Sequence, residues 1–291
     1  TTVNNGEDLS SPSGGGREGA DLFSAAVSAA ADTTTLFDDK QRIAIIRRMR
    51  DTYHFFHPQL EFLEVFWERG GFDLIAGNPP WLKVEFDEKV YLSELKPELV
   101  IRKISSPLAR KYTNECMENI QFQQIFVDGL IESESTTTFI KGIQNFKLLI
   151  GQKNNLYKCI LENSFNLMHK AGSSGLLHPE TLYEDPDGIT FREEMYKRLI
   201  YHFQFKNELV LFSEIDHHNS YSINIYSGAP KTEIGFYNLN NLFHPQTIEA
   251  SFLHNGIGFA GGIKIRDEAT QKYTWNVKPH MDRVVFINYD A

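Results

Sequence analysis

Apolar and polar residues alternate along the chain in blocks that predict both strands and helices. Four segments have the length and composition of strands: 72–76, 174–179, 202–212 and 220–226. Four segments carry apolar residues at helical spacing: 38–52, 107–130, 154–170 and 190–200. The polar run 133–138 is expected to end one helix, and Gly172 to end another. This order predicts an α/β sheet with helices on both faces and an antiparallel hairpin at its edge.

The segment after the first strand, residues 78–81, has an unusual composition. Pro79 and Pro80 lack N–H donors and restrict the residue before them, so the strand cannot continue as an interior strand. A stiff loop of this kind can hold a planar ring that carries an amine. The side-chain oxygen of Asn78 and the carbonyl of Pro79 can each accept one amine proton, and Trp81 offers a face for stacking.

Composition limits the possible partners and location. The chain has 291 residues, of which 41% are apolar, so it can bury a full core. Its net charge of −9 argues against a purely electrostatic DNA clamp. No apolar run reaches the length of a membrane span, and the first residues do not form a signal peptide, so a cytoplasmic protein without membrane contact is expected. Cys116 and Cys159 are the only cysteines and are expected to stay reduced.

Two other charged groupings are interpreted as structural. A polar loop carries four potential metal ligands: Glu214, Asp216, His217 and His218. Adjacent histidines on such a loop seldom face one ion, so no metal site is predicted. One predicted helix carries three charged residues that a nuclease site would need: Glu193, Glu194 and Lys197. A solvated helix face is the preferred interpretation of these three residues.

The loop and its surroundings resemble a known family. Asn-Pro-Pro followed by an aromatic residue, after an apolar strand ending in Gly, resembles the catalytic motif of the class I amino-methyltransferases, above all the N6-adenine DNA methyltransferases. Residues 57–66 and 70–73 resemble the segment that precedes this motif in the large enzymes of restriction-modification and phage-defence systems. Trp81 departs from the pattern, because Tyr or Phe is usual at that position.

The resemblance implies a fold, a reaction and a site. The fold would be part of a class I, Rossmann-like methyltransferase sheet, with residues 1–35 as a flexible segment, 36–240 as a partial catalytic region and 241–291 as a connector. The reaction would be transfer of a methyl group from S-adenosylmethionine to a flipped adenine in double-stranded DNA. Nuclease or translocase domains or subunits would be further partners. The catalytic residues would be those of the loop: Asn78, Pro79, Pro80 and Trp81.

One expected part of the family pattern is missing from the sequence. The family binds its cofactor through a strand, a glycine-rich turn and a later acidic residue, and residues 1–71 contain no such pattern. The chain is therefore expected to be a fragment, inactive by itself, with unknown cofactor-binding residues. Two alternatives stay open: a methyltransferase-like DNA-binding or assembly subunit without catalysis, or an enzyme that methylates RNA or a protein glutamine.

Overall fold

The computed structural model describes residues 40–97, 101, 105–213, 216, 219–266, 268 and 271–288. The chain divides into two units, residues 1–61 and 62–291. The described part of the first unit consists of helices α1, Lys40–Tyr53, and α2, Pro58–Glu61. Three sequence-based expectations lie wholly or partly outside the described residues: the flexible segment 1–35, the start of the helix 38–52, and the potential metal ligands Glu214, His217 and His218.

The second unit is a mixed α/β structure. Its strands are β1 Phe72–Gly77, β2 Met168–Pro179, β3 Leu199–Lys206, β4 Ser220–Ser227, β5 Gly235–Leu242, β6 Lys264–Arg266, β7 Tyr273–Trp275 and β8 Val285–Asn288. Its helices are α3 Glu88–Leu95, α4 Ser106–Cys116, α5 Ile120–Lys141, α6 Leu156–Leu167, α7 Thr181–Glu184, α8 Ile189–Arg198 and α9 Gln246–Phe252. A π-helical turn, Val65–Arg69, precedes β1, and short 3₁₀ turns follow β3 and precede β8.

Six strands form one sheet in the order β1-β2-β4-β3-β5-β8. Strands β1, β2, β3 and β5 run parallel to one another, and β4 and β8 run in the opposite direction. The expected hairpin of β3 and β4 is present, but its predicted place at the sheet edge is wrong. Strand β4 lies between β2 and β3, and β3 also pairs with β5, so both hairpin strands are interior.

Helices cover both faces of this sheet. Neighbouring residues of a strand point to opposite faces, so strands with apolar residues at neighbouring positions have two faces to bury. On one face, Leu176 and Tyr226 pack with Phe165 of α6 and Met195 of α8. On the other face, the core contains Phe203 and Phe205 of β3 with Tyr221, Leu239 and Leu242, and Ile248 of α9 packs against it. The expectation of helices on both faces of an α/β sheet therefore agrees with the structure.

Two glycines allow β1 to lie close against β2. Gly71 has a φ of +139°, and a Cβ built on it would lie 2.6 Å from the carbonyl oxygen of Leu167. A Cβ on Gly172 would lie 2.7 Å from the carbonyl oxygen of Phe72. Gly172 is thus an interior residue of β2, and its predicted role as the end of a helix is wrong. Helix α6 ends at Leu167, and the strand begins at once.

The predicted helix 107–130 is also corrected. The structure divides it into α4 and α5, with Asn119 as the N-cap of α5 through its side-chain oxygen. Helix α5 then continues through residues 133–138, where the polar run was expected to break it. Thr137 in this run donates a hydrogen bond to the carbonyl oxygen of Val84 at 3.4 Å, so a contact distant in sequence supports the helix there.

Replacing Gly71 by alanine tests the close approach of β1 and β2. We expect Gly71→Ala to lower the free energy of unfolding by about 1–3 kcal/mol, because the new methyl group meets the backbone of Leu167 at a left-handed residue. Gly77→Ala is the matched control, since a Cβ at Gly77 meets nothing within 4 Å. Urea unfolding measures both variants. Equal unfolding midpoints for the two variants would contradict the packing described here.

Candidate functional site

Residues 78–81 leave the sheet at the carboxyl end of β1. Because β1, β2 and β3 are parallel, their carboxyl ends meet at this edge, together with the start of the reversed strand β4. The loop is fixed where it leaves the strand and again beyond Trp81, where the carbonyl oxygen of Leu82 accepts a hydrogen bond from the N–H of Leu156 at 2.9 Å. Crevices at the carboxyl ends of parallel strands are the usual ligand sites of open α/β sheets.

Asn78 and the carbonyl of Pro79 keep their hydrogen-bonding capacity. The side chain of Asn78 is exposed, and the described residues form no hydrogen bond with it. The carbonyl oxygen of Pro79 also accepts no hydrogen bond from the described part of the chain, although Pro79 itself is buried. Pro80 is exposed. Neither of these two predicted acceptors is therefore used in a hydrogen bond within the described residues.

Trp81 is half-buried and belongs partly to the core. Its indole N–H donates to the carbonyl oxygen of Leu177 in β2 at 3.3 Å. Its ring lies 5.5 Å from that of Phe212 and 6.0 Å from that of Tyr221, measured between ring centroids. The indole is thus held in place by β2 and by the segment after β3. Phe212, which was not predicted as a site residue, is with Tyr221 an aromatic neighbour of Trp81 at this edge.

A cavity of about 690 Å³ lies beside Trp81. It is bounded by the segment after Trp81, the start of α6, the carboxyl end of β2 and the start of β4. Its charged lining residues are three cations and three anions: Lys83, Lys153, Lys158, Glu180, Glu184 and Asp185. Of the four predicted site residues, Trp81 lines this cavity, whereas Asn78, Pro79 and Pro80 do not.

Glu180 is the most strongly organised carboxylate of the cavity. It follows the last residue of β2, and its side chain is largely buried. One carboxylate oxygen lies 3.1 Å from Nε2 of His202, and the other accepts a hydrogen bond from Gln204 at 3.2 Å. Burial by itself raises the pKa of Glu180, but the interactions with His202, Ser222 and Gln204 outweigh burial and lower this pKa below its usual value. Glu180 is therefore an anion at neutral pH.

His178 fixes the backbone directly before Glu180. It is fully buried, and its Nδ1 lies 3.0 Å from the carbonyl oxygen of Pro179. Its Nε2 lies 2.9 Å from the hydroxyl of Tyr226 and accepts from the amide of Asn224 at 2.9 Å. Because Nδ1 faces an acceptor and Nε2 faces donors, the neutral Nδ1–H tautomer fits this site. Burial lowers the pKa of His178 to about 4.

A buried ion pair closes another side of the cavity. The ammonium group of Lys158, on α6, lies 2.6 Å from a carboxylate oxygen of Asp185 and 2.9 Å from the side-chain oxygen of Gln152. Burial by itself raises the pKa of Asp185. The hydrogen bond and the positive charge of Lys158 lower this pKa by more than burial raises it, so it lies below its usual value. Asp185 begins the turn 185–188, in which the N–H of Gly188 donates to its carbonyl oxygen at 3.1 Å.

Most residues of this cavity were not predicted from the sequence. A carboxylate at the carboxyl end of a buried strand was the signal for Glu180, and the pairing of β3 with β4 was needed to bring His202 to it.

Glu193 forms an ion pair with Lys197 at 2.7 Å on an exposed face of α8, which agrees with the interpretation as a solvated helix face. Within the described residues, no group of three or more His, Cys, Asp or Glu side chains could hold a metal ion.

No family model matches the chain, and no curated protein matches it. Among solved structures, it is similar to a nuclease-deletion mutant of the Type ISP restriction-modification enzyme LlaGI in complex with a DNA substrate mimic. The identity is 12%, the TM-score is 0.32, and the match covers 61% of this chain and 13% of that chain.

The chain is also similar to the ATP-dependent Type ISP restriction-modification enzyme LlaBIII bound to DNA, with 10% identity and a TM-score of 0.32 over 60% of this chain and 10% of that chain. The structure of a DrdV–DNA complex is matched with 13% identity and a TM-score of 0.31, over 61% of this chain and 16% of that chain. The chain thus spans only a small part of the length of these proteins.

None of the helices in the described ranges is long and apolar enough to cross a membrane.

The buried His178 predicts a pH dependence of stability. Because its pKa is about 4 in the folded chain and about 6.5 when exposed, the unfolded chain binds more protons between these values. The contribution of His178 to the free energy of unfolding is therefore fully present above about pH 6.5. It is lost as the pH falls towards 4, and the total loss is about 3 kcal/mol. His178→Gln should remove this loss, as measured by urea unfolding midpoints across the range. His244→Gln, at an exposed histidine, should keep it, and a wild-type slope in His178→Gln would contradict the assignment.

Proposed function

We propose that this chain is the part of a site-specific DNA adenine N6-methyltransferase that binds the adenine to be methylated. The enzyme would belong to a restriction-modification or phage-defence system. The sheet would be part of a class I, Rossmann-like methyltransferase fold. The observation that carries the proposal is the state of the loop after β1: Asn78 is exposed without a hydrogen bond from the described residues, directly before two prolines and a fixed indole.

In this proposal the loop holds the amine of a flipped adenine. The side-chain oxygen of Asn78 and the carbonyl oxygen of Pro79 accept the two amine protons, because neither has another hydrogen bond with the described residues. Two acceptors in fixed positions orient the nitrogen lone pair away from the loop. Such orientation is the main contribution that a protein makes to a direct displacement. No protein nucleophile is required.

Trp81 is proposed to support the flipped base by stacking. The indole is positioned by its bond to Leu177 and by Phe212, so little side-chain entropy is lost when a base arrives. Stacking on an aromatic side chain is worth about 1–3 kcal/mol per base, which is comparable to the cost of extruding a base. Lys83 and Lys153, exposed at the neighbouring cavity, are proposed to face the phosphates of the displaced strand.

S-adenosylmethionine is the methyl donor that the family resemblance implies. The described residues before β1 form helices and short connecting segments, and no strand followed by a glycine-rich turn is among them. They therefore do not fit this cofactor, and the proposal assigns no residue of the described ranges to it. The outer edge of β1 is unpaired within the described sheet, and Leu74 on this strand is 69% exposed. That edge is the proposed position of the cofactor-binding half of the intact protein.

Asn78→Ala in the intact protein tests the assignment. We expect the rate of methyl transfer to adenine in DNA to fall by about 100-fold or more, because the amine loses one of its two orienting acceptors. Binding to duplex DNA should change little, since Asn78 is proposed to contact only the flipped base. Radiolabelled methyl transfer and a DNA-binding titration measure the two quantities.

Asn114→Ala is the control, because Asn114 is exposed on α4 and lies outside the proposed site. It should leave both quantities unchanged. Methylation at the wild-type rate in Asn78→Ala would overturn the proposal. Transfer of the methyl group to RNA or to protein glutamine, but not to DNA, would keep the role of the loop and change the substrate.

A second candidate function is a methyltransferase-like DNA-binding or assembly subunit without catalysis. The absence of a strand and glycine-rich turn from the described residues before β1 favours it. We expect the 291-residue chain to show no saturable binding of labelled S-adenosylmethionine below millimolar concentration. Under the first proposal the intact protein binds it at micromolar concentration, whereas under the second it does not. Micromolar binding by the chain alone would contradict the second candidate.

A further inference from the structure

A glycine-rich loop at the carboxyl edge of the sheet exposes two apolar side chains. Residues 255–263 follow α9 and include Ile257, which is 77% exposed, and Phe259, which is 93% exposed. The amide of Asn241, near the end of β5, donates to the carbonyl oxygen of Gly262 at 3.0 Å. Since β5 runs parallel to β3, this bond places the end of the loop at the same edge as the end of β3.

The loop has a fixed shape despite its glycines. Nδ1 of His254 accepts from the N–H of Gly256 at 3.0 Å, and the side chain of Asn255 accepts from the N–H of Ile257 at 3.1 Å. A Cβ on Gly261 would clash with the carbonyl oxygen of Lys278, so the backbone is packed tightly there. These contacts fix the start and the end of the loop, and the side chains of Ile257 and Phe259 are exposed to solvent.

Cations follow this loop directly. Between residues 253 and 288 the sequence has five Lys or Arg residues and three Asp or Glu residues, although the whole chain has a net charge of −9. One of the five cations, Arg283, is buried and donates hydrogen bonds to backbone carbonyl oxygens, so it adds no charge to the accessible surface. Lys264 and Arg266 lie on β6, and Lys278 follows β7; all three side chains are exposed. These three exposed cations flank the loop and can contact the phosphates of a polyanion, although Asp267 and Glu268 directly follow Arg266 in the sequence.

Strands β6 and β7 pair antiparallel and form a hairpin. Trp275 on β7 connects this hairpin to the segment that contacts the candidate site. Its indole N–H donates to a carboxylate oxygen of Glu208 at 2.9 Å, and Glu208 lies in the turn directly after β3. The ammonium group of Lys264 lies 5.0 Å from the ring of Trp275. The turn with Glu208 leads to Phe212, whose ring contacts Trp81. The cationic hairpin and the proposed base site thus share one edge of the sheet.

We propose that residues 255–263 form an apolar wedge that inserts Ile257 and Phe259 between base pairs of duplex DNA, while Arg266 and Lys278 contact the flanking phosphates. This inference rests on the proposed function, because it requires DNA as the partner. Apolar side chains that enter a base step unstack it, and phosphate contacts hold the protein in register. The cations beside the loop favour a polyanionic duplex over an apolar protein surface.

Binding of the 291-residue chain to two labelled duplexes, one intact and one with a central abasic site, tests the wedge by fluorescence anisotropy. We expect the wild-type chain to bind the abasic duplex about tenfold tighter or more, because that duplex is already unstacked. Ile257→Ser/Phe259→Ser should bind the two duplexes equally. Phe259→Leu should keep the preference, because it retains an apolar wedge.

Two controls separate this effect from general loss of binding. Ile120→Ser removes another apolar side chain, 80% exposed at the start of α5, and should keep the preference. Arg266→Gln/Lys278→Gln should lower the slope of log K against log salt by about 2, at about 0.9 per phosphate contact. Lys141→Gln, at an exposed lysine of α5, should leave that slope unchanged. Circular dichroism checks that each variant is folded.

Equal binding of both duplexes by the wild-type chain, or a preserved preference in the double serine variant, would overturn the wedge. A change of oligomeric state in that variant with unchanged DNA binding would assign the loop to a protein contact and overturn it as well. The test needs neither cofactor nor Asn78. If the wild-type chain prefers the abasic duplex but the intact protein does not methylate DNA, only the proposed function is rejected. If the intact protein methylates DNA but the double serine variant keeps the preference for the abasic duplex, only the wedge is rejected.

Discussion

The missing N–H groups of Pro79 and Pro80 are the constraint on which the candidate site depends. Without these donors, β1 cannot extend beyond Gly77, and the chain must leave the sheet. The loop is then fixed from its sides, by the indole bond of Trp81 to β2 and by the bond between Leu82 and Leu156. The backbone that follows Asn78 is thus held in place, and neither the Asn78 side chain nor the Pro79 carbonyl forms a hydrogen bond with the described residues.

The elements that could be predicted from sequence are those decided by local chemistry. An apolar run followed by two prolines fixes β1 and its end, and the turn 185–188 follows from its Asp, Pro and Gly residues. The start of β2 could not be predicted in this way. Residues 168–172 continue a helical pattern in sequence, but Gly172 faces the backbone of β1, and this pairing overrides the helical preference.

The same difference applies to the site. Asn78 and Trp81 are selected by a contiguous motif, so sequence reasoning finds them. His202, which lies 22 residues further along the chain, lowers the pKa of Glu180. The two side chains come close because β4 lies between β2 and β3 in the sheet. Phe212 meets Trp81 for the same topological reason. Such contacts depend on strand order, which no local pattern specifies.

Net charge is a poor guide to the partner of this chain because its charges are unevenly distributed. Acidic residues dominate overall, but several are neutralised within the structure, as Asp185 is by Lys158 and Glu193 by Lys197. Ionic screening at physiological salt acts over about 8 Å, so a polyanion that approaches one edge responds mainly to the charges near it. Under the proposed function, the exposed cations Lys264, Arg266 and Lys278 would therefore act on the duplex largely independently of acidic residues far from this edge.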